Sequence, residues 1–245
     1  MEAPKREYST SKFYPESQSL EKKRAKKRAI YLYAKRTLDF VLSFLVSFIL
    51  IIPLFMLAFI IVCKDFGNPF FVQTRVGLNG KQFKMVKLRS MKVGSDQLER
   101  ILNKEQIYEY RNEYKLDDDP RLIGWKKSGD GNRCFGAILR RTSLDELPQI
   151  LINICLLGNM SIVGPRPILA EELEEHYTPE EQQLLLSVKP GLTGYWQAYA
   201  RNDASYKTGK RQQMELKYAQ NAKFLWDIQI IFATFGAVLR ERGAK

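Results

Sequence analysis

From Thr37 to Cys63 the chain reads TLDFVLSFLVSFILIIPLFMLAFIIVC, with Asp39 as its single charged residue. A straight helix of this length runs roughly 40 Å, against a hydrocarbon core of about 30 Å, so residues 37–63 predict a membrane helix. The run is too long for a cleavable signal peptide, and no small-residue cleavage site comes after it. The pattern changes on both sides. Residues 1–19 are polar with no apolar period and predict a disordered tail. Residues 20–36 form a basic juxtamembrane segment, and residues 64–245 mix short alternating stretches with helical periods and predict a separate domain.

Within that domain, Phe70 to Val72 and Phe83 to Leu88 predict strands, joined by a hairpin turn at Leu78-Asn79-Gly80-Lys81. Asp96 to Lys115 is charged and helix-prone. Asp117-Asp118-Asp119 before Pro120 predicts a turn more readily than a metal site. Leu169 to Val188 predicts a polar helical hairpin broken at Pro179. Lys189 to Gly194 predicts a turn whose glycines let backbone approach a ligand. Residues 211–240 carry one long helical pattern, with an apolar face suited to the membrane interface. The fold class is α+β, mostly helical with a small β-sheet, with interfacial amphipathic helices.

Charge changes the picture of the membrane helix. The 245 residues carry a net charge of +12 and a sequence pI near 9.5, so the partner is anionic. Eight basic side chains lie in residues 20–36, directly before the apolar run, which reads as a contact with anionic lipid. A nucleic-acid tract fits poorly beside a membrane helix. The far flank, from Lys64 to Lys92, is almost as basic, so the positive-inside rule gives a spanning helix no clear orientation. Pro53, near the middle, predicts a kink or break. A re-entrant N-terminal helix hairpin bent there keeps both flanks on the cytoplasmic side, and a simple span is the alternative. Lys35 and Asp39 are spaced to pair across one helical turn. Three widely spaced cysteines imply no disulfide framework or zinc site.

The candidate chemistry gathers between Arg140 and Pro167, RRTSLDELPQILINICLLGNMSIVGPRP. Asp145 and Glu146 sit at its centre, with Arg140 and Arg141 before them and Arg166 after. Neighbouring cations favour ionised carboxylates. An ionised Asp can act as a nucleophile and an ionised Glu can hold a hard cation. Arginines can clamp a diphosphate. The competing reading is a capping box, with Ser143 as N-cap and Glu146 at its third helical position. Pro148 strains that reading, and a helix starting nearer Leu147 leaves the two acids at its mouth. Upstream, Lys87 and Arg89 share one strand face and suit a phosphate, or else guard a strand edge. Arg201 beside Tyr195, Trp196 and Tyr199 could hold a nucleobase and phosphate, or the aromatics could simply be core. His176, in the acidic run EELEEH, reads as a solvated helix face.

Taken together, KRTLDF, FVQTRVGLNGKQFKMVKLRSM, DDDPRL, LRRTSLDELPQ, GNMSIVGPRP, KPGLTGYWQ and the RND at 201 resemble the bacterial sugar transferases. These are monotopic polyprenyl-phosphate phosphoglycosyl transferases, and the resemblance covers about residues 30–243. It implies transfer of a sugar-1-phosphate from a UDP-sugar to undecaprenyl phosphate, with release of UMP, at the start of exopolysaccharide, capsule or other glycan synthesis. It implies Asp145 as nucleophile, Glu146 as the holder of Mg2+, and Lys87, Arg89, Arg140, Arg166 and, more weakly, Arg201 as phosphate contacts. It implies a re-entrant, proline-broken helix and a catalytic domain (residues 64–245) on the cytoplasmic face of the bacterial inner membrane. The implied partners are the UDP-sugar, undecaprenyl phosphate and membrane lipids, with a homodimer allowed and no nucleic acid. The sugar stays open among galactose, glucose and N-acetylated sugars. Two departures stand out: Ile52 precedes Pro53 where a serine is common, and Lys126 to Arg133 is longer than the usual connection. A non-catalytic, membrane-anchored assembly factor is the competing class.

Overall fold

The computed structural model describes residues 15–113, 116, 118–126, 133–200 and 209–239. It is mostly helical, with two small two-stranded sheets. Helix α1 spans Pro15–Lys64 and continues through Pro53. Its first five residues fall inside the stretch expected as a tail, whose remainder lies outside the described residues. The apolar half of α1 is bare: Phe48, Phe55 and Phe59 are 81%, 73% and 70% exposed. A contiguous apolar surface of this kind marks an interaction site and is compatible with membrane anchoring.

Both flanks of the apolar run are nonetheless docked. On the N-terminal side, Lys35 pairs with Asp227 at 2.8 Å and Arg36 donates to the Ile154 carbonyl at 2.7 Å. Asp39 accepts from Ser161 Oγ at 2.7 Å and from the Ile162 amide at 3.2 Å. The expected Lys35–Asp39 pair is therefore not made, because each side chain has a tertiary partner instead. On the C-terminal side, Ile61 is buried with Leu88, Ile123 and Leu139, and Asp65 pairs with Arg89.

Strands β1 (Phe70–Val76) and β2 (Gln82–Leu88) form the expected antiparallel hairpin, with Phe70 opposite Leu88 and Val76 opposite Gln82. Its connection places Asn79 at φ 55° and Gly80 at φ 76°. These are the residue types that enter the left-handed region at least cost. The charged stretch after it forms two helices, α2 (Leu98–Ile101) and α3 (Lys104–Glu113). Asn103 separates them: its Oδ1 accepts from the Gln106 amide at 2.8 Å, and Gln106 Oε1 accepts from the Asn103 amide at 3.1 Å. Asp118 to Arg121 makes a turn, in which Asp119 holds the Arg121 backbone and guanidinium; Asp117 lies outside the described residues. Residues 127–132 of the long connection lie outside the described residues.

Helix α4 (Phe135–Arg141) leads through the Asp-Glu turn to a π-helical segment, Ile150–Leu156, against which α1 packs. Next come β3 (Ser161–Val163), α5 (Ala170–His176), α6 (Pro179–Leu185), β4 (Gly191–Thr193) and α7 (Tyr195–Tyr199). The α5–α6 hairpin breaks at Pro179 as expected, with Thr178 capping α6 through the Glu181 amide at 3.4 Å. The stretch Lys189 to Gly194 is not only a turn: β4 pairs with β3 in parallel, Ser161 opposite Gly191. Its glycines admit a strand rather than a ligand. A Cβ on Gly191 would lie 2.0 Å from the Gly164 amide nitrogen, and one on Gly164 would lie 2.6 Å from that of Gly191.

The last long helical pattern is two helices, α8 (Lys210–Asn221) and α9 (Phe224–Leu239). The chain breaks at Ala222 and Lys223, where the Lys223 carbonyl accepts from the Trp226 and Asp227 amides at 3.1 and 3.0 Å. The break lets Ile230 of α9 pack with Tyr218 of α8 and Val163 of β3. The opposite face of α9 stays bare, with Leu225 and Phe232 70% and 72% exposed.

Candidate active site

The Asp-Glu turn is built by its neighbours. Arg140 and Arg141 occupy the last turn of α4, where cations complement the helix dipole. Ser143 then takes a left-handed conformation, φ 57°, and its side chain caps neither the turn nor the helix after it. The capping-box reading is thus corrected. A left-handed residue reverses the chain, and Leu144–Glu146 forms a short 3-10 turn instead of a first α-turn. Leu144 packs onto the cluster of Ile61, Leu88, Ile123 and Leu139, which anchors the turn to the core at the C-terminal end of α1. Helix restarts at Pro148, where a missing N–H costs nothing, so the two acids do stand at a helix mouth.

Strand β2 faces this turn and supplies Lys87, whose Nζ lies 2.6 Å from Glu146 Oε1. The two side chains are partly exposed and line a pocket with Arg166 of the Gly-Pro-Arg-Pro turn, Arg75 of β1, Gln149 and Gln197. Arg166 is half-buried and makes no hydrogen bond or ion pair among the described residues. Its guanidinium is a donor fork held at the pocket wall. Arg75 is buried, donates to the Pro167 carbonyl at 3.3 Å and sits 3.8 Å from Glu172.

Asp145, next to the pocket-lining Glu146, is only 8% exposed and accepts no hydrogen bond from another side chain among the described residues. Burial raises its carboxyl to about 6. Lys87 opposes that rise, Glu146 adds to it, and Arg140 opposes it. The expectation that flanking cations would dominate is therefore corrected: desolvation of a buried carboxylate outweighs Lys87, which is paired with Glu146, and Arg140, which is exposed. At neutral pH the group is ionised but poorly solvated, the state of an activated nucleophile.

The structure thus brings together Lys87, Arg140, Asp145, Glu146 and Arg166. It does not bring Arg89 with them. Arg89 is buried, pairs with Asp65 and donates Nε to the Asn68 carbonyl at 2.7 Å, so it ties the end of α1 to the hairpin. Arg201 lies outside the described residues. Sequence reasoning missed Arg75, Gln149 and Gln197. The signal for Arg75 was its placement in β1, two positions from Gln73, to whose Oε1 it donates at 2.6 Å. Among the described residues no cluster of three or more metal-binding side chains occurs. The adjacent carboxylates of Asp145 and Glu146 nevertheless suit Mg2+, which is bound through one or two carboxylates when substrate phosphates supply other oxygens.

Comparison with known proteins gives consistent results. The family model described as bacterial sugar transferase matches residues 30–241. The exopolysaccharide production protein ExoY of Rhizobium meliloti is 40% identical over 86% of this chain and 88% of its own length. The undecaprenyl-phosphate galactose phosphotransferase of Salmonella typhimurium is 39% identical over 86% of this chain. The UDP-glucose:undecaprenyl-phosphate glucose-1-phosphate transferase of Escherichia coli is 35% identical over 82%. These two relatives are larger, and the chain spans 42% and 39% of their lengths.

Proposed function

The chain belongs to the bacterial sugar transferase family and is an enzyme of the transferase class, and from that premise we propose that it moves a sugar-1-phosphate from a UDP-sugar to undecaprenyl phosphate. One observation carries the reading: a buried, unpaired Asp145 stands beside a pocket into which Lys87, Arg75 and Arg166 bring positive charge. The names of the Salmonella and E. coli relatives give the same acceptor.

Arg166 and Lys87 bind the diphosphate of the nucleotide sugar and neutralise the charge that builds up on it. A carboxylate oxygen of Asp145 attacks the β-phosphorus. The bond from that phosphorus to the bridging oxygen breaks, and UMP leaves with the electron pair. The sugar phosphate is then esterified to Asp145 as a mixed anhydride. A phosphate oxygen of undecaprenyl phosphate attacks the same phosphorus, and the Asp145 carboxylate is released unchanged. Glu146, with Asp145, would hold Mg2+, which supplies charge neutralisation at the diphosphate when bound. Lys87, paired with Glu146, keeps that side chain oriented.

The same reading places the domain at the cytoplasmic face of the inner membrane, with α1 entering and leaving on that side. A crossing helix puts its two ends on opposite faces. Here Lys35, Arg36 and Asp39 before the apolar run, and Ile61 and Asp65 after it, all contact one body of secondary structure.

Intact-mass analysis of the enzyme with UDP-sugar alone tests the chemistry. The expected result is a phosphosugar adduct that maps to Asp145, with UMP released in equal amount before any acceptor is added. An adduct of undiminished yield in Asp145→Asn overturns it.

A further inference from the structure

We propose that a second site, where the basic segment of α1 meets the corner between α8 and α9, binds the headgroup of an anionic phospholipid. A cavity of about 440 Å3 opens there, between Lys27, Arg28 and Tyr31 on α1 and Lys223 and Phe224 on the corner. It shares no lining residue with the pocket of Lys87, Glu146 and Arg166. Arg28 donates to Ser187 Oγ at 3.0 Å. The Lys27 and Lys223 ammonium groups make no hydrogen bond or ion pair among the described residues. Asp227, the acid that Tyr31 contacts, is already taken: it accepts from Tyr31 at 2.7 Å, Lys35 at 2.8 Å and Tyr218 at 2.6 Å. The three cations that line the cavity are therefore not neutralised from within, and the matching ligand is an anion.

Position selects the class of anion. Lys27 and Arg28 lie about three helical turns before Thr37, where the apolar run begins. Lys223 directly precedes the bare face of α9 that starts with Phe224 and Leu225. Cations at the onset of apolar surface on two helices mark the headgroup level of a bilayer. Leu32, Val188, Ala219, Ala222 and Phe224 make most of the remaining wall apolar, with Tyr31 and Gln220 as its polar members, which suits the glycerol and upper acyl chain below a phosphodiester. A basic tail attracts anionic lipid diffusely. Lys223, contributed from the far end of the chain, makes this a cavity with a defined wall. The inference rests on the membrane-face reading of α1 and not on the chemistry at Asp145.

The test uses the full chain, vesicles of phosphatidylcholine with or without phosphatidylglycerol, and native mass spectrometry after detergent extraction. Wild-type protein should retain about one phosphatidylglycerol per chain. Lys223→Glu should lower that retention by roughly tenfold. Ala222→Phe, which fills the cavity without changing charge, should lower it equally. Lys26→Glu, the same charge reversal on an exposed residue outside the cavity, should keep it. Melting curves establish that each variant is folded, and UMP release in lipid-free detergent should be unchanged in Ala222→Phe. Equal loss in Lys26→Glu and Lys223→Glu, with Ala222→Phe unaffected, reduces the contact to diffuse attraction and overturns the site. Displacement of phosphatidylglycerol by undecaprenyl phosphate, mole for mole, overturns the phospholipid assignment in favour of the acceptor lipid. Flotation of wild type with vesicles but no retained lipid overturns the site alone, whereas no flotation with either vesicle overturns the membrane reading beneath it.

Discussion

Two short turns in this molecule each bury an aspartate near arginine, and they use it in opposite ways. In the turn around Asp119, the carboxylate accepts from Arg121 Nε at 2.8 Å, from Nη2 at 2.7 Å and from the Arg121 amide at 3.0 Å. Both side chains are almost wholly buried, and Arg121 also stacks 4.2 Å from the Tyr110 ring centroid. In the turn around Asp145, the carboxyl is nearly as buried, but Lys87 gives its ammonium to Glu146 instead. A cation in the neighbourhood does not decide what an acid does. The hydrogen bonds that the acid completes do. Asp119 has spent its lone pairs on structure, whereas Asp145 accepts no hydrogen bond from another side chain among the described residues.

The sharpest way to break this contrast is to neutralise each acid in turn. Asp145→Asn should lower UMP release by roughly three orders of magnitude or more. It should also stabilise the folded protein at neutral pH. The sign comes from the raised carboxyl: the folded state holds this proton up to about 6, above the unfolded value near 3.8, so ionisation disfavours folding as pH rises between them. The gain in melting temperature should be present at pH 8 and absent below pH 4. An Asp145→Asn protein that melts lower than wild type at pH 8 contradicts the contrast.

Asp119→Ala should do the reverse. It leaves a buried guanidinium without its carboxylate, at a cost of about 3–5 kcal/mol. Melting temperature should fall by roughly 10 °C, while UMP release per folded molecule is unchanged. A smaller effect concerns pH. The rate should rise through about pH 6 as Asp145 ionises. Lys87→Met removes the largest influence opposing the upward shift of the Asp145 carboxyl, so the acidic limb should move to higher pH, as read from single-turnover rates. Smallest of all is Asp65→Asn, which weakens a partly exposed pair with Arg89, at a cost of about 1 kcal/mol. Its UMP release should match wild type. A large rise in KM for UDP-sugar would return Arg89 to the phosphate site.

Local turn chemistry was readable in the sequence wherever it was self-contained. Asn79-Gly80 announced the β1–β2 hairpin, and Thr178-Pro179 announced the start of α6, because each side chain acts on its own backbone. The Asp-Glu pair was readable as a carboxylate pair at a helix mouth for the same reason of proximity. Choices between partners far apart in the chain could not be read. Arg89 has the same character as Lys87 two positions earlier, and only the arrival of Asp65 separates their roles. Ser143 fits a capping box until the packing of Leu144 turns the backbone left-handed. Gly191 suits a ligand loop until a second strand is laid against it.

The docking of α1 has a consequence for how the protein is made. Tyr31 binds Asp227, 196 residues further along. At a synthesis rate of about 5–20 residues per second, the N-terminal flank of α1 waits roughly 10–40 s for its partner. For most of that interval the bare phenylalanines of α1 are already outside the ribosome. On the membrane reading of α1, the bilayer receives the helix before the globular body exists to hold it, and the body then assembles around an anchor that is already in place.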